Sequence, residues 1–172
     1  MEKVILVDRQ DRVQGTMEKM EAHRAGALHR AFSVFVFNSR RELMLQQRAH
    51  HKYHSAGLWS NTCCSHPRPG EDTAAAAHLR LKEEMGFDTP LSEVFDFIYF
   101  AELEKDMKEH ELDHVLVGYH DGEPRINMDE AASWKWISLP GLDRDILDNP
   151  GRYTVWFRII FERVKEIVSR EP

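Results

Sequence analysis

Short apolar runs occur at Val4 to Asp8, Ala31 to Asn38, Leu43 to Arg48, Glu93 to Glu102, Glu111 to His120 and Trp134 to Ile137. They are rich in β-branched and aromatic residues, which favour pleated strands. The break Asn38-Ser39-Arg40-Arg41-Glu42 between two of them predicts a hairpin. The period then changes over Asp72 to Met85, where Ala74, Ala77, His78, Leu81 and Met85 recur at helical spacing and Gly86 stands where a C-terminal cap belongs. A second helix is predicted from about Thr154 to Arg170, with Val155, Ile159, Glu162 and Glu166 marking different faces of an amphipathic pattern. Strands with helices packed on them give an α/β or α+β sandwich. No internal repeat, low-complexity run or Pro/Ser/Gly-rich linker interrupts it, so residues 1–172 are expected to form one domain.

Composition narrows the function. The 172 residues are 42% hydrophobic and 30% charged, enough for a domain that buries roughly 70% of its unfolded surface, which excludes a disordered tail. The net charge of -6 repels a polyanion, so nucleic acid is not an expected partner. No stretch approaches the roughly 18 apolar residues of a membrane span. The opening Met1 to Arg12 has too short an apolar core for a signal peptide, so no membrane partner and a cytosolic location are expected. Cys63 and Cys64, the two cysteines, are adjacent, and neighbours rarely reach the geometry of a mutual disulfide. Ten histidines exceed ordinary usage and invite a metal reading.

Three groups of residues could carry chemistry. In Asn61-Thr62-Cys63-Cys64-Ser65-His66-Pro67, Cys64 and His66 project from one face if the segment is extended, a thiol beside a potential metal ligand. In Glu109-His110-Glu111-Leu112-Asp113, the two glutamates share a strand face about 7 Å apart at Cα. Their repulsion falls if a divalent cation or a shared proton lies between them; the plainer alternative is a solvated edge strand. With His23 and His29, which precede the strongest apolar strand, His66, Glu109 and Glu111 would supply three imidazoles and two carboxylates. That set suits Mn, Mg or Fe, and is possible for Zn. The third group is cationic: Lys19, Arg48, Lys52 and Arg80 fall on separate elements. Facing one cleft they would bind a diphosphate, with Glu84 holding a Mg ion against its oxygens; scattered, they are ordinary surface charges.

The runs Leu28 to Phe35, Leu45-Gln46-Gln47-Arg48, Asn61 to Pro67 and Tyr153-Thr154-Val155-Trp156-Phe157 together resemble the type I isopentenyl diphosphate isomerases, in order and over nearly the whole chain. The Asn-Thr-Cys-Cys-Ser-His-Pro run is the specific part. A partial Nudix-like box is weaker: Glu71, Glu83, Glu84 and Gly86 match, but Ser65 replaces its first glycine, and Leu79 and Arg80 replace its Arg-Glu pair. The resemblance implies a Nudix-like fold, a mixed sheet between helices, turned from hydrolysis to isomerisation. It puts one divalent metal, Mn, Zn or Mg, on His23, His29, His66, Glu109 and Glu111, and Mg with the substrate oxygens on Glu84. It makes Cys64 the catalytic thiol, Glu111 the acid, Tyr99 its assistant and Trp156 the aromatic facing the hydrocarbon. Lys19, Arg48, Lys52 and Arg80 remain the candidate holders of a small-molecule diphosphate. In this reading a buried, protonated Glu111 protonates the alkene and Cys64 on the opposite face removes the allylic proton. A Nudix pyrophosphohydrolase and a noncatalytic metal- or diphosphate-binding module are the alternatives; neither needs a thiol beside the metal. The segment before Ala31, carrying Lys19, His23 and His29, is a candidate lid that metal would order.

Overall fold

The computed structural model describes residues 1–170. In chain order it has strands β1 (Lys3–Val7) and β2 (Val13–Glu18), helix α1 (Lys19–Ala25), then strands β3 (His29–Phe37), β4 (Glu42–Arg48), β5 (Trp59–Ser60) and β6 (Cys63–Ser65). Helix α2 (Thr73–Met85) is followed by β7 (Leu91–Glu102), β8 (Lys108–Tyr119), β9 (Ala131–Ser138), α3 (Leu139–Asp148), a 3-10 turn at Pro150–Arg152 and α4 (Val155–Arg170).

β3 is the spine of a mixed sheet. It pairs in parallel with β8 along its whole length and antiparallel with β6 on its other edge. Its alternation sorts two cores. Phe32, Val34 and Val36 face α2 through Ala76, Ala77, Leu81 and Met85. Phe35 and Phe37 face α4 through Phe157, Ile160 and Phe161. Burying both faces of one strand calls for a near-continuous apolar run, which is what the β3 sequence is. The result is the expected mixed sheet between helices.

Several elements differ from the sequence reading. β2 and α1 were not anticipated, because Val13–Glu18 is largely polar and half exposed and α1 has only seven residues. Local chemistry fixes that helix: the Glu18 side chain accepts from the Glu21 N–H, and Gly26 closes it at φ 66°. The proposed lid segment is therefore a built part of the fold, with Ala22, His23 and His29 buried. α3 was also missed; Ser138 caps it, Pro140 lies in its first turn, and its buried residue is Leu142 alone. Asp72 is the N-cap of α2, its side chain accepting from the Ala75 N–H, and the buried stripe runs through Ala76 in place of the exposed Ala74. On α4 the buried face is Trp156, Phe157, Ile160, Phe161, Val164 and Val168, leaving Ile159 exposed. No helix among the described residues is long and apolar enough to cross a membrane.

Candidate active site

Strand register assembles the site. The parallel β3–β8 pairing sets His29 beside Glu111, and the antiparallel β7–β8 pairing sets Tyr99 beside Glu111 and Ala101 beside Glu109. Across β3, β6 pairs Cys64 with Ser33. Because β6 is extended, its side chains alternate. Cys63 enters the α2 core, whereas Cys64 and His66 line a cavity of about 60 Å³. Thiol and carboxylates thus come from opposite edges of one strand.

Three imidazoles converge next to this cavity. His23 Nδ1 lies 2.8 Å from the Lys19 carbonyl and His29 Nδ1 2.8 Å from the Ala27 carbonyl. A carbonyl only accepts, so both rings hold their proton on Nδ1 and present Nε2 as a bare lone pair. His29 Nε2 lies 3.2 Å from His66 Nε2, which is 2.8 Å from Glu111 Oε1. His23 Nε2 is buried with no hydrogen-bond partner at all. The donor atoms of His23, His29, His66 and Glu111 lie within 4.8 Å of one another. The inward lone pairs of His23 and His29, whose outer nitrogens are pinned by backbone carbonyls, fit a divalent cation. Burial pushes the His66 imidazole down to about 4 and lowers that of His23, so both stay neutral.

Glu109 stands apart from that group. Its donor atom clusters with those of His23 and His54. The Tyr99 hydroxyl donates to Glu109 Oε2 at 2.9 Å and to Glu111 Oε2 at 2.7 Å. One phenol proton serves two carboxylates. Burial, reinforced by the charge of Glu111, drives the Glu109 carboxyl well above its usual range. Burial acts the same way on Glu111, but the His29 and His66 imidazoles beside it, His66 Nε2 at 2.8 Å, outweigh burial and hold Glu111 well below the usual range. The two carboxyls that share the Tyr99 hydroxyl are therefore pushed in opposite directions.

The cations do face one space. Lys19, Arg48, Lys52 and Arg80 line the cavity together with Glu84, Tyr99 and Trp156. A hollow of about 900 Å³ shares Lys19, Lys52 and Arg80 with it. Glu84 is buried, accepting from Arg80 at 2.9 Å and from Gln46 at 3.0 Å; burial raises its carboxyl against the pull of Arg80. The Arg48 and Arg80 Nε–H groups and the Trp156 indole N–H are buried without partners. Unmet buried donors beside cationic side chains suit an anion with several oxygens. Trp156 carries the Arg48 guanidinium over its ring at 5.2 Å and the His54 ring edge-on at 5.8 Å. Burial pushes the Cys64 thiol up to about 12, opposed by Arg48 and helped by Glu84, Glu109 and Glu111.

Sequence reasoning did not pick out Gln46, Tyr53, His54 or Glu130. Glu130 ion-pairs with Lys52 and lies 3.7 Å from Arg80, neutralising part of the cationic wall. His54 is 3% exposed, and burial drives its imidazole down to about 2. The run His50, His51, His54 was the visible signal for it, but only folding separates the buried member from its neighbours.

The NUDIX domain family profile matches residues 27–157. An Aromatoleum aromaticum protein named isopentenyl-diphosphate Delta-isomerase 2 is 53% identical over 163 residues, covering 95% of this chain and 86% of its own. The isopentenyl-diphosphate Delta-isomerase of Pectobacterium atrosepticum is 49% identical over 164 residues, covering 95% of this chain and 92% of its own. Among solved structures, DR0079 from Deinococcus radiodurans superposes with a TM-score of 0.73 at 18% identity, covering 86% of this chain and 90% of its own. The MutT protein from Methanosarcina mazei does so at 0.66 and 18%, covering 84% and 96%.

Proposed function

The chain belongs to the NUDIX domain family and, within it, to the isopentenyl-diphosphate Delta-isomerases; from that premise we propose how its residues interconvert isopentenyl and dimethylallyl diphosphate. The observation that carries the assignment of roles is Cys64 and the Tyr99–Glu111 pair lining one cavity from opposite edges of β3. Moving a double bond by one carbon needs a proton added at one carbon and another removed two carbons away. An acid and a base on opposite sides of the cavity divide those two transfers between them.

Lys19, Arg48, Lys52 and Arg80 hold the diphosphate, and the unmet Nε–H groups of Arg48 and Arg80 orient it. His23, His29, His66, Glu109 and Glu111 would hold one divalent cation, Mn2+, Zn2+ or Mg2+, and Glu84 would hold Mg2+ together with the diphosphate. Such cations would supply charge neutralisation. Glu111, oriented by the hydrogen bond from the Tyr99 hydroxyl, delivers its carboxyl proton to the terminal methylene carbon and is left as the carboxylate. Cys64 accepts the allylic proton. It does so as the thiolate left when its own proton has gone to solvent water, a charge that the Arg48 guanidinium favours against burial. Trp156 faces the tertiary cation between the two transfers, and the ring quadrupole stabilises that cation more than the neutral alkene. One domain acting in the cytosol on a small-molecule diphosphate completes the proposal.

Proton NMR of the purified protein with isopentenyl diphosphate in D2O tests it. The expected outcome is the dimethylallyl isomer with deuterium in a methyl group, no phosphate released, and activity lost to a chelator and restored by divalent metal. Phosphate or pyrophosphate release without isomer, or full turnover in verified metal-free protein, overturns it.

A further inference from the structure

We propose that His54, His23 and Glu109 form a second, overlapping seat for a four-coordinate divalent cation of the zinc class, so that His54 helps choose which metal the centre holds. The inference rests on the reading that the histidine and glutamate centre binds a divalent ion. The donor atoms of these three residues lie within 4.8 Å of one another, and all three are buried. His23 brings the bare, unpartnered Nε2 left by its Nδ1–H donation to Lys19. His54 Nδ1 lies 3.3 Å from Ser55 Oγ, and its Nε2 lies 3.7 Å from Glu109 Oε1.

That last spacing is too long for a hydrogen bond. Donors bound to a tetrahedral ion at zinc's usual bond lengths sit about 3.4 Å apart, whereas adjacent donors around an octahedral ion sit about 3.0 Å apart. The wider spacing favours four-coordination. Two neutral imidazoles and one carboxylate are also the donor types of an open zinc site with three protein ligands. His54 and Glu109 both line the cavity of about 60 Å³, which has room for a water in the fourth position.

His23 ties this seat to the other one. Its single available lone pair also belongs to the group with His29, His66 and Glu111. One nitrogen lone pair serves one ion, so the two seats are alternatives and not a pair. An ion that demands six ligands gains nothing from the three-donor seat, while one content with four gains a place that depends on His54.

Cobalt(II) titration of the metal-free protein tests this, because four-coordinate cobalt absorbs visible light far more strongly than six-coordinate cobalt. The wild type should show the intense bands on binding cobalt. His54→Phe should bind cobalt with weak bands only, and its zinc affinity by chelator competition should fall at least tenfold, with manganese affinity within about twofold. His54→Asn, a smaller polar replacement, gives the same reading should the Phe variant fail to fold, with thermal melting as the check. Weak bands alone in the wild type overturn the proposal, as do equal spectra and equal zinc affinities in wild type and variants; either result leaves the main metal seat standing. Absence of cobalt and zinc binding in the wild type overturns both.

Discussion

Cys63 and Cys64 are one position apart in β6, and that step sends one thiol into the α2 core and the other into the cavity. Cys64→Ala should lower kcat by roughly 10²- to 10⁴-fold, the usual worth of a positioned acid-base group, at unchanged metal content and melting temperature. Cys63→Ala removes a buried sulfur among Phe32, Val34 and Leu81 and should cost about 1 kcal/mol of stability, with turnover within severalfold of wild type. Matched kinetics and melts of the two variants check this, and comparable activity losses would reverse the choice of thiol. The contrast was legible in the sequence once β6 was taken as extended. The opposite pulls on Glu109 and Glu111 were not, because they depend on His29 and His66 both lying against Glu111. Nor was His54, whose partners His23 and Glu109 come from elements distant in the chain.

At the scale of elements, α2 shows how a helix end fixes a functional side chain. Gly86 caps it at φ 76°, and an added Cβ would collide with the Arg125 carbonyl. That segment is stitched to the helix end by Arg125 N–H to the Met85 carbonyl and Asn127 N–H to the Glu84 carbonyl, each at 2.8 Å. Gly86→Ala therefore meets both left-handed strain and a backbone clash. It should cost about 2 to 4 kcal/mol and raise KM for the diphosphate by disturbing Glu84. Gly70→Ala is the control, since Gly70 has φ 85° but open space around it, and it should cost only about 1 kcal/mol. Equal melting temperatures for the two variants would show that the clash relaxes away. α2 and β3 were readable because burial imposes a strong period on them. β2, α1 and α3 were not: they are short or half exposed and are held by side-chain caps at Glu18 and Ser138, so their periodicity is weak.

Over the whole molecule, the buried titratable groups set an unusual dependence of stability on pH. His23, His54 and His66 are held neutral by burial, below their ordinary 6.5. As pH falls below 6.5 the unfolded chain takes up protons that these folded imidazoles refuse, so stability falls, by about 1.4 kcal/mol per pH unit for each group at most. Glu84 and Glu109, raised chiefly by burial from 4.5, and Asp113, raised from 3.8, act with the opposite sign. Above about pH 4.5 the fold keeps protons there that the unfolded chain has lost, so their stabilisation drains away as pH rises. Between about 4.5 and 6.5 the two trends oppose each other. Above 6.5 only the raised carboxyls act, and below 4.5 the imidazoles are joined by Glu111, whose depressed carboxyl gives stability that is lost as pH falls. The metal-free protein should therefore be most stable on the mildly acidic side of neutrality and weaken in both directions. A bound cation needs Glu109 ionised and the imidazoles neutral, so its affinity rises with pH. It lessens the alkaline decline, in which Glu84 and Asp113 keep their part, and steepens the acid one. Thermal melts from pH 4 to 9, with chelator and with saturating Mn2+ or Zn2+, should show the optimum moving upward by a pH unit or more when metal is present. An identical optimum in the two series would mean that the buried histidines and glutamates do not titrate as one centre.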